Sequence, residues 1–303
     1  MLAFSRIVLS LVCLSASLVV GTATAQENTK KLFVWEISSK TNKIYLAGSV
    51  HLGFEGLYPL PKEIEKAFAN SQKLAVEVNV DNIPGFQILK ILAQGTYKGG
   101  KTLTSEVSQE TAKKLKDYCE ANNVPIKIVN RYKPWMASML LTELMAKKAG
   151  FDMTKGLEKH FLKKARKTGK TVLELESMKL QLELFVGFDK GLQERMLLDT
   201  LSDAKDYKKV IDRIFAAWKT GDLEKMHKIA ILDPQKVEPK LKTLYVKMFD
   251  ERNVKMTEKI EGYLKGDDIV FVLVGSGHIP GEKGILKLLR DKGYKIRQVT
   301  RMK

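Results

Sequence analysis

Thiols are scarce in this chain of 303 residues: only Cys13 and Cys119 are present. With one of them inside the first 25 residues, no intramolecular disulfide framework is available to the rest, and stability rests on an ordinary apolar core. Histidine is equally sparse, at four residues, and no His-Glu-x-x-His occurs, which excludes the common helical zinc-protease site. No Gly-x-Ser-x-Gly elbow is present for a serine nucleophile. After Val20 no uncharged apolar run approaches the roughly 20 residues that span a bilayer.

The chain does carry an excess of positive charge. Fifty-two Lys and Arg stand against 35 Asp and Glu, a formal net charge of +17. The lysines are spread over almost every expected helix and are not gathered with aromatics on one stripe, so nucleic acid is not the expected partner. A generally solvated basic surface is the plain reading, with attraction to an anionic envelope surface as the functional one.

Met1 to Arg6 carries one positive charge, Ile7 to Val20 is apolar, and Gly21-Thr-Ala-Thr-Ala25 is a run of small residues. This layout predicts a signal peptide over 1–25, cleaved between Ala25 and Gln26, and a periplasmic or secreted protein. Ser-Leu-Val before Cys13 lacks the small residue that lipidation of that cysteine needs. Loss of Arg6 leaves the exported chain at +16.

Leu32 to Ile37 and Lys43 to Ala47 are β-rich runs around a Ser-Ser-Lys-Thr-Asn turn, an opening hairpin. Pro61 starts a helix with Ile64, Ala67 and Phe68 on one face, leading to a strand at Leu74 to Val78. Helices are expected over 108–122, 134–148 and 157–167, then a strand at Thr171 to Leu175. From Met178 to about Lys265 the pattern is helical, with breaks near Gly187, Gly221 and Asp233-Pro234. Ile269 to Val274 is a continuous apolar run, the mark of a strand covered on both faces. A glycine-rich turn, a helix from about Glu282 to Lys292 and a strand from Lys295 to Val299 close the chain. These elements predict an α/β (α+β) fold over 26–303. It is a single domain with one mixed sheet built from both ends of the chain and a large helical insertion between them.

Gly48-Ser-Val-His51 and Gly275-Ser-Gly-His278 share the form Gly-Ser-x-His, and each begins where an apolar strand stops. In open α/β sheets ligands bind beyond the carboxyl ends of strands, which places both imidazoles at such a crevice. Gly48, Ser49, Gly275, Ser276 and Gly277 are its small lining residues, where a cofactor has room. His160 and His227 sit among lysines and read as solvated helix positions. Glu77, between Val76 and Val78, needs a cationic partner if buried and otherwise faces water on an edge strand. Two histidines and a carboxylate are a known ligand set for a catalytic divalent ion, here Zn, Mn or Co. Glu174 and Glu176 end a strand on the same face. Arg252 clamps a carboxylate or forms a surface ion pair with Glu251 or a neighbour. Cys119 falls on the inward side of a helix and reads as a structural thiol.

Ala47-Gly-Ser-Val-His-Leu-Gly53 with Tyr58-Pro-Leu-Pro61, Val76-Glu-Val78, Leu173-Glu-Leu-Glu176 followed by Gln181, Glu251-Arg-Asn253 and Val274-Gly-Ser-Gly-His-Ile279 together resemble the TraB/GumN family, over essentially the whole chain after the expected signal peptide. The resemblance implies a fold similar to the erythromycin esterase and haem-binding ChaN-like superfamily, and kinship with the Tiki proteins, which are metal-dependent proteases. It makes His51 and His278 look like metal ligands, Glu77 a ligand or general base, and Glu176 and Arg252 part of the site lining.

Three functions follow as expectations. The first is a metal-dependent hydrolase, peptidase-like, in which Glu77 or Glu176 moves the proton. The second is a non-catalytic haem- or metal-binding module using the same histidines. The third reads Gly275 to Gly281 as a nucleotide loop, against which stand a spacing one residue off Gly-x-Gly-x-x-Gly and the lack of a following acidic ribose ligand.

Overall fold

The computed structural model describes residues 31–232 and 242–301. The expected signal peptide, Cys13 and the Asp233-Pro234 break lie outside the described residues. The hairpin forms as its β-branched and aromatic runs predict: β1 (Lys31–Ser38) and β2 (Lys43–Ser49) pair antiparallel, with Val34 opposite Ala47 and Ser38 opposite Lys43. β3 (Gly53–Phe54) and β5 (Phe151–Asp152) form a separate two-stranded ribbon. β4 (Lys73–Val76), β6 (Thr171–Glu174), β7 (Val270–Gly275) and β8 (Lys295–Thr300) complete a six-stranded sheet in the order β6-β4-β7-β2-β1-β8.

The pairing within that sheet sets up the site. β6, β4, β7 and β2 run parallel, while β1 is antiparallel to both β2 and β8. Four parallel strands therefore end on one edge, and β7, buried at every position, lies among them as its unbroken apolar run predicts.

Among the described residues ten helices of seven residues or more surround the sheet. α1 (Lys62–Ala69) buries Ile64, Ala67 and Phe68. α2 (Gly85–Gly95) has no counterpart among the elements expected from the sequence. α3 (Gln109–Ala121), α4 (Pro134–Lys148), α5 (Leu157–Lys167), α6 (Met178–Val186), α7 (Lys190–Asp203) and α8 (Tyr207–Lys219) follow. α9 (Glu251–Lys265) and α10 (Ile285–Asp291) flank β7 in sequence. α10 starts three residues later than expected from Glu282, since Gly284 is its N-cap and a Cβ there would lie 2.1 Å from the Pro280 carbonyl oxygen.

Phe68 of α1, Phe161 of α5 and Phe271 of β7 pack with ring centroids 4.9 to 5.7 Å apart, fastening two helices to the sheet. Cys119 is buried in this main core, as expected of a structural thiol. A smaller core joins Trp135, Leu182, Phe188, Met196 and Tyr245 to Met248 and Phe249, beneath the helical insertion. Among the described residues no helix is long and apolar enough to cross a membrane.

Candidate functional site

The four parallel strands deliver the chemistry-bearing residues to one edge. Ser49 ends β2 and lies opposite Gly275 at the end of β7. Glu77 stands one residue beyond β4 and Glu176 two beyond β6, and the pairing continues past the strands, with Leu175 N donating to Val76 O and Glu176 N to Glu77 O, both 2.8 Å. Glu77 is thus buried beyond the end of an inner strand and does not face water on an edge. Glu174 is exposed and accepts a hydrogen bond from Asn79 N at 2.6 Å, so only Glu176 of that pair reaches the crevice.

Arg252 joins the two carboxylates. Its Nη2 donates to Glu77 Oε2 and Glu176 Oε2, each 2.6 Å, and its Nε to Glu176 Oε1 at 2.9 Å. Nη1 donates to the Met248 carbonyl at 2.9 Å, and Gln181 Nε2 bridges the same two carboxylates at 3.3 and 3.1 Å. A surface ion pair with Glu251 is not what forms: Arg252 is buried in the first turn of α9, directly after the π-helical stretch Val246–Asp250. Such π turns often mark functional positions in helices.

The imidazoles approach from the other side. An ideal Cβ on Gly275 would lie 3.2 Å from Glu77 Oε1, 3.2 Å from His51 Nε2 and 3.5 Å from His278 Cδ2, so these three side chains converge on the bare Cα of Gly275. Gly275 N donates to Glu77 Oε1 at 2.6 Å, and His278 Nε2 is 3.9 Å from Glu77 Oε2.

Each ring is held by its other nitrogen. Asn253 Nδ2 donates to the Lys283 carbonyl at 2.8 Å, so its Oδ1 faces His278 Nδ1 at 2.6 Å and must accept from it. His278 therefore carries its proton on Nδ1 and presents a bare Nε2 lone pair to the crevice. His51 Nδ1 contacts Glu158 Oε1 at 2.6 Å, which directs Nε2 of this ring inward as well. Phe249 backs the His278 ring at 5.1 Å between centroids.

Electrostatics follow from this geometry. Burial works against a charged His278, and the Arg252 guanidinium adds to it, pulling the pKa down to about 3. Burial also opposes a charge on Glu77, but His278, Arg252, His51 and the Gly275 N–H outweigh it and hold the carboxyl down at about 2. Burial pulls His51 down, whereas Glu158 and then Glu77 pull harder and raise it to about 9. At 35 % side-chain exposure His51 is the open member of the group, against 6 % for His278 and 10 % for Glu77, so the group meets solvent on the His51 side.

Among the described residues no three His, Cys, Asp or Glu side chains are drawn close enough to hold a metal ion as they stand. The donor set nevertheless suits one. Glu77 Oε1 keeps a second lone pair beyond the bond it accepts from Gly275 N, whereas Oε2 already accepts from both Arg252 and Gln181, and two imidazoles fixed through Nδ1 by a carboxylate and an amide are the arrangement in which ligating histidines are found.

A match to the TraB/PrgY/gumN family spans residues 33–298. The chain belongs to the TraB/PrgY/gumN family. Two curated relatives are similar to it, the uncharacterized protein YbaP of Escherichia coli K12 and that of Shigella flexneri, each 24 % identical over 259 residues, covering 81 % of this chain and 87 % of YbaP. No solved structure matches.

For a TraB/PrgY/gumN chain, the resemblance read from the sequence contained the residues that meet here, from Gly48 to His278. It did not contain Glu158. Gly156 makes that contact available: a Cβ there would lie 2.5 Å from the His51 carbonyl oxygen, so α5 starts hard against His51 with Glu158 in its first turn. Burial opposes a charge on Glu158, but His51 outweighs it and holds the carboxyl below the usual carboxylate range. His160 is not simply solvated but half-buried, stacked on Tyr58 at 4.6 Å and 3.1 Å from Glu65. His227 is likewise half-buried, its Nε2 2.6 Å from where a Gly281 Cβ would stand. Both lie outside the crevice. Gly48 serves packing, since a Cβ would meet Phe33 Cδ1 at 2.4 Å and Ser276 Oγ at 2.8 Å. Ser276 and Gly277 form a buried 3-10 turn that carries His278 inward. The turn does not run into a helix as a phosphate loop does.

Proposed function

We propose that this protein is an exported metal-dependent hydrolase acting on peptide bonds, with His51, His278 and Glu77 holding a divalent ion, Zn, Mn or Co. The observation that carries the reading is the paired locking of the two imidazoles: Glu158 on His51 Nδ1 and Asn253 on His278 Nδ1, both at 2.6 Å, with both Nε2 atoms turned to Glu77. Such an ion supplies polarisation of the scissile carbonyl and acidification of a water molecule.

The chain's own residues do the rest. Glu77 would take the proton of the attacking water and return it to the leaving amine, and Arg252 and Gln181 keep that carboxylate oriented and ionised beforehand. Arg252 also neutralises Glu176, so no second negative charge repels the developing charge on substrate. The exposed edge of His51 is the entry for the peptide.

The second reading, a metal- or haem-holding module without turnover, draws on one observation: Arg252, Gln181 and Gly275 N all donate to the Glu77 carboxylate, which makes it a weak base. Purified protein analysed by metal mass spectrometry, beside a His51→Ala/His278→Ala variant of matched helical content, tests the shared site. Near-stoichiometric metal that the variant loses supports it; no metal in either after reconstitution with Zn, Mn and Co overturns it. Glu77→Gln then separates the two readings. Loss of peptide hydrolysis supports the enzyme, and changed metal affinity in a protein that never turns over a peptide library supports the module.

A further inference from the structure

We infer that α2 and the basic segment beside it form a docking surface for an anionic lipid bilayer, separate from the His51 and His278 crevice. α2 is an eleven-residue helix that leaves most of its apolar side chains in water: Phe86 is 69 % exposed, Leu89 68 %, Ile88 46 % and Leu92 43 %. Ile91 faces the other way, onto the smaller core. Isolated exposed apolar residues are ordinary, but this many on one short helix mark a surface with a partner.

Charge identifies the partner. No acidic residue occurs between Asp81 and Glu106, nor between Glu120 and Glu143. The fold brings these two stretches together: Thr96 bridges Tyr132, Tyr97 N donates to Arg131 O at 2.9 Å, and Lys133 N donates to Gly95 O at 2.7 Å. Lys90, Lys98, Lys127 and Arg131 are exposed on them. The same stretches add exposed Ile128 and Met139.

A second copy of the chain seated here would oppose like charges. A small apolar ligand would need a cleft, and α2 is a convex helix. An anionic bilayer meets both features: apolar side chains enter the boundary between headgroups and acyl chains while the cations remain among the headgroups. Eleven residues, about 16 Å of helix, lie in that plane and do not span it.

The test uses the full chain with Leu89→Trp. Trp35, Trp135 and Trp218 are all buried, so quenching by bromine-labelled acyl chains reports the new side chain. Vesicles of phosphatidylcholine with phosphatidylglycerol quench it, and vesicles of phosphatidylcholine alone do not. Phe86→Ser/Leu89→Ser, on an exposed helix and with unchanged circular dichroism, binds the anionic vesicles about tenfold more weakly. Vesicle-bound protein with an unquenched Trp at position 89, as binding through the apolar run at 7–20 alone would give, overturns the inference. So does equal binding by the serine variant. An emission shift with polyglutamate but not with vesicles overturns it in favour of an acidic protein partner.

Discussion

His278 and Asn253 meet through Nδ1 and Oδ1 at 2.6 Å, and because Asn253 is itself oriented by the Lys283 carbonyl, one amide decides which nitrogen of the ring is bare. His51 and Glu158 repeat the device with a carboxylate. Partners of this kind typically set metal affinity by about 10- to 100-fold. Asn253→Leu and Glu158→Gln are therefore each expected to weaken binding of Zn, Mn or Co within that range, with circular dichroism showing that each variant still folds. Isothermal titration with each ion measures this. Undiminished affinity in both variants would place the ion elsewhere.

Arg252 stabilises the edge of the sheet before any ligand arrives. It is the buried cation between Glu77 and Glu176, and removing one member of a buried charge set leaves the others uncompensated, at about 3–5 kcal/mol. Arg252→Met is expected to lose that much in urea unfolding. Arg252→Lys should recover only part, because an ammonium cannot reproduce the planar fork that contacts both carboxylates and Met248 O together. A loss below about 1 kcal/mol for Arg252→Met would show that the carboxylates find other partners.

The two histidines predict opposite pH behaviour for the metal-free chain. His278 has a folded pKa below its unfolded value near 6.5, so the unfolded state binds the extra proton and stability falls as pH drops below about 6.5. Glu77, also depressed, adds to the loss below about 4.5 as the pH falls towards its folded value. His51 is raised, so its contribution is fully present below about 6.5 and is lost as pH rises through about 9. Between pH 6 and 5, then, His278 dominates within this group. Urea midpoints should fall by about 1.4 kcal/mol of stability per pH unit more in the native chain than in His278→Gln. Equal slopes would mean that His278 is protonated in the folded state.

The fold was legible in the sequence wherever burial imposed a period. The hairpin at 31–49, the all-apolar strand ending at Gly275, and helices such as α4 and α5 lie within a few residues of where their patterns put them. α2 was not among the expected helices, and burial alone would have misplaced its apolar face, because Phe86, Ile88, Leu89 and Leu92 are exposed. At the site, repetition of Gly-Ser-x-His at two strand ends pointed to both imidazoles. The role of Glu158 had no local signal: an acidic residue in the first turn of a helix reads as complementing the helix dipole, and only the close approach of Gly156 to His51 gives it a partner. The burial of Arg252 was equally invisible, because the strands that supply Glu77 and Glu176 come together only in the folded sheet.

The two motif glycines should respond differently to the same methyl group. At Gly48 a Cβ would sit 2.4 Å from a Phe33 ring carbon in the main core, so Gly48→Ala forces a packed aromatic aside and is expected to cost about 1–3 kcal/mol of stability. At Gly275 the nearest atoms are 3.2 Å away and belong to Glu77 and His51, which must yield by a few tenths of an ångström, while the residue's negative φ of −53° suits alanine. Gly275→Ala is therefore expected to fold nearly as well as the native chain yet to lose metal, because the methyl group fills the space on which the three side chains converge. Thermal unfolding and metal mass spectrometry on the two variants separate these outcomes. If Gly275→Ala retained full metal while Gly48→Ala alone lost it, the ion would sit nearer Ser49 and Ser276 than the convergence of His51, Glu77 and His278 implies.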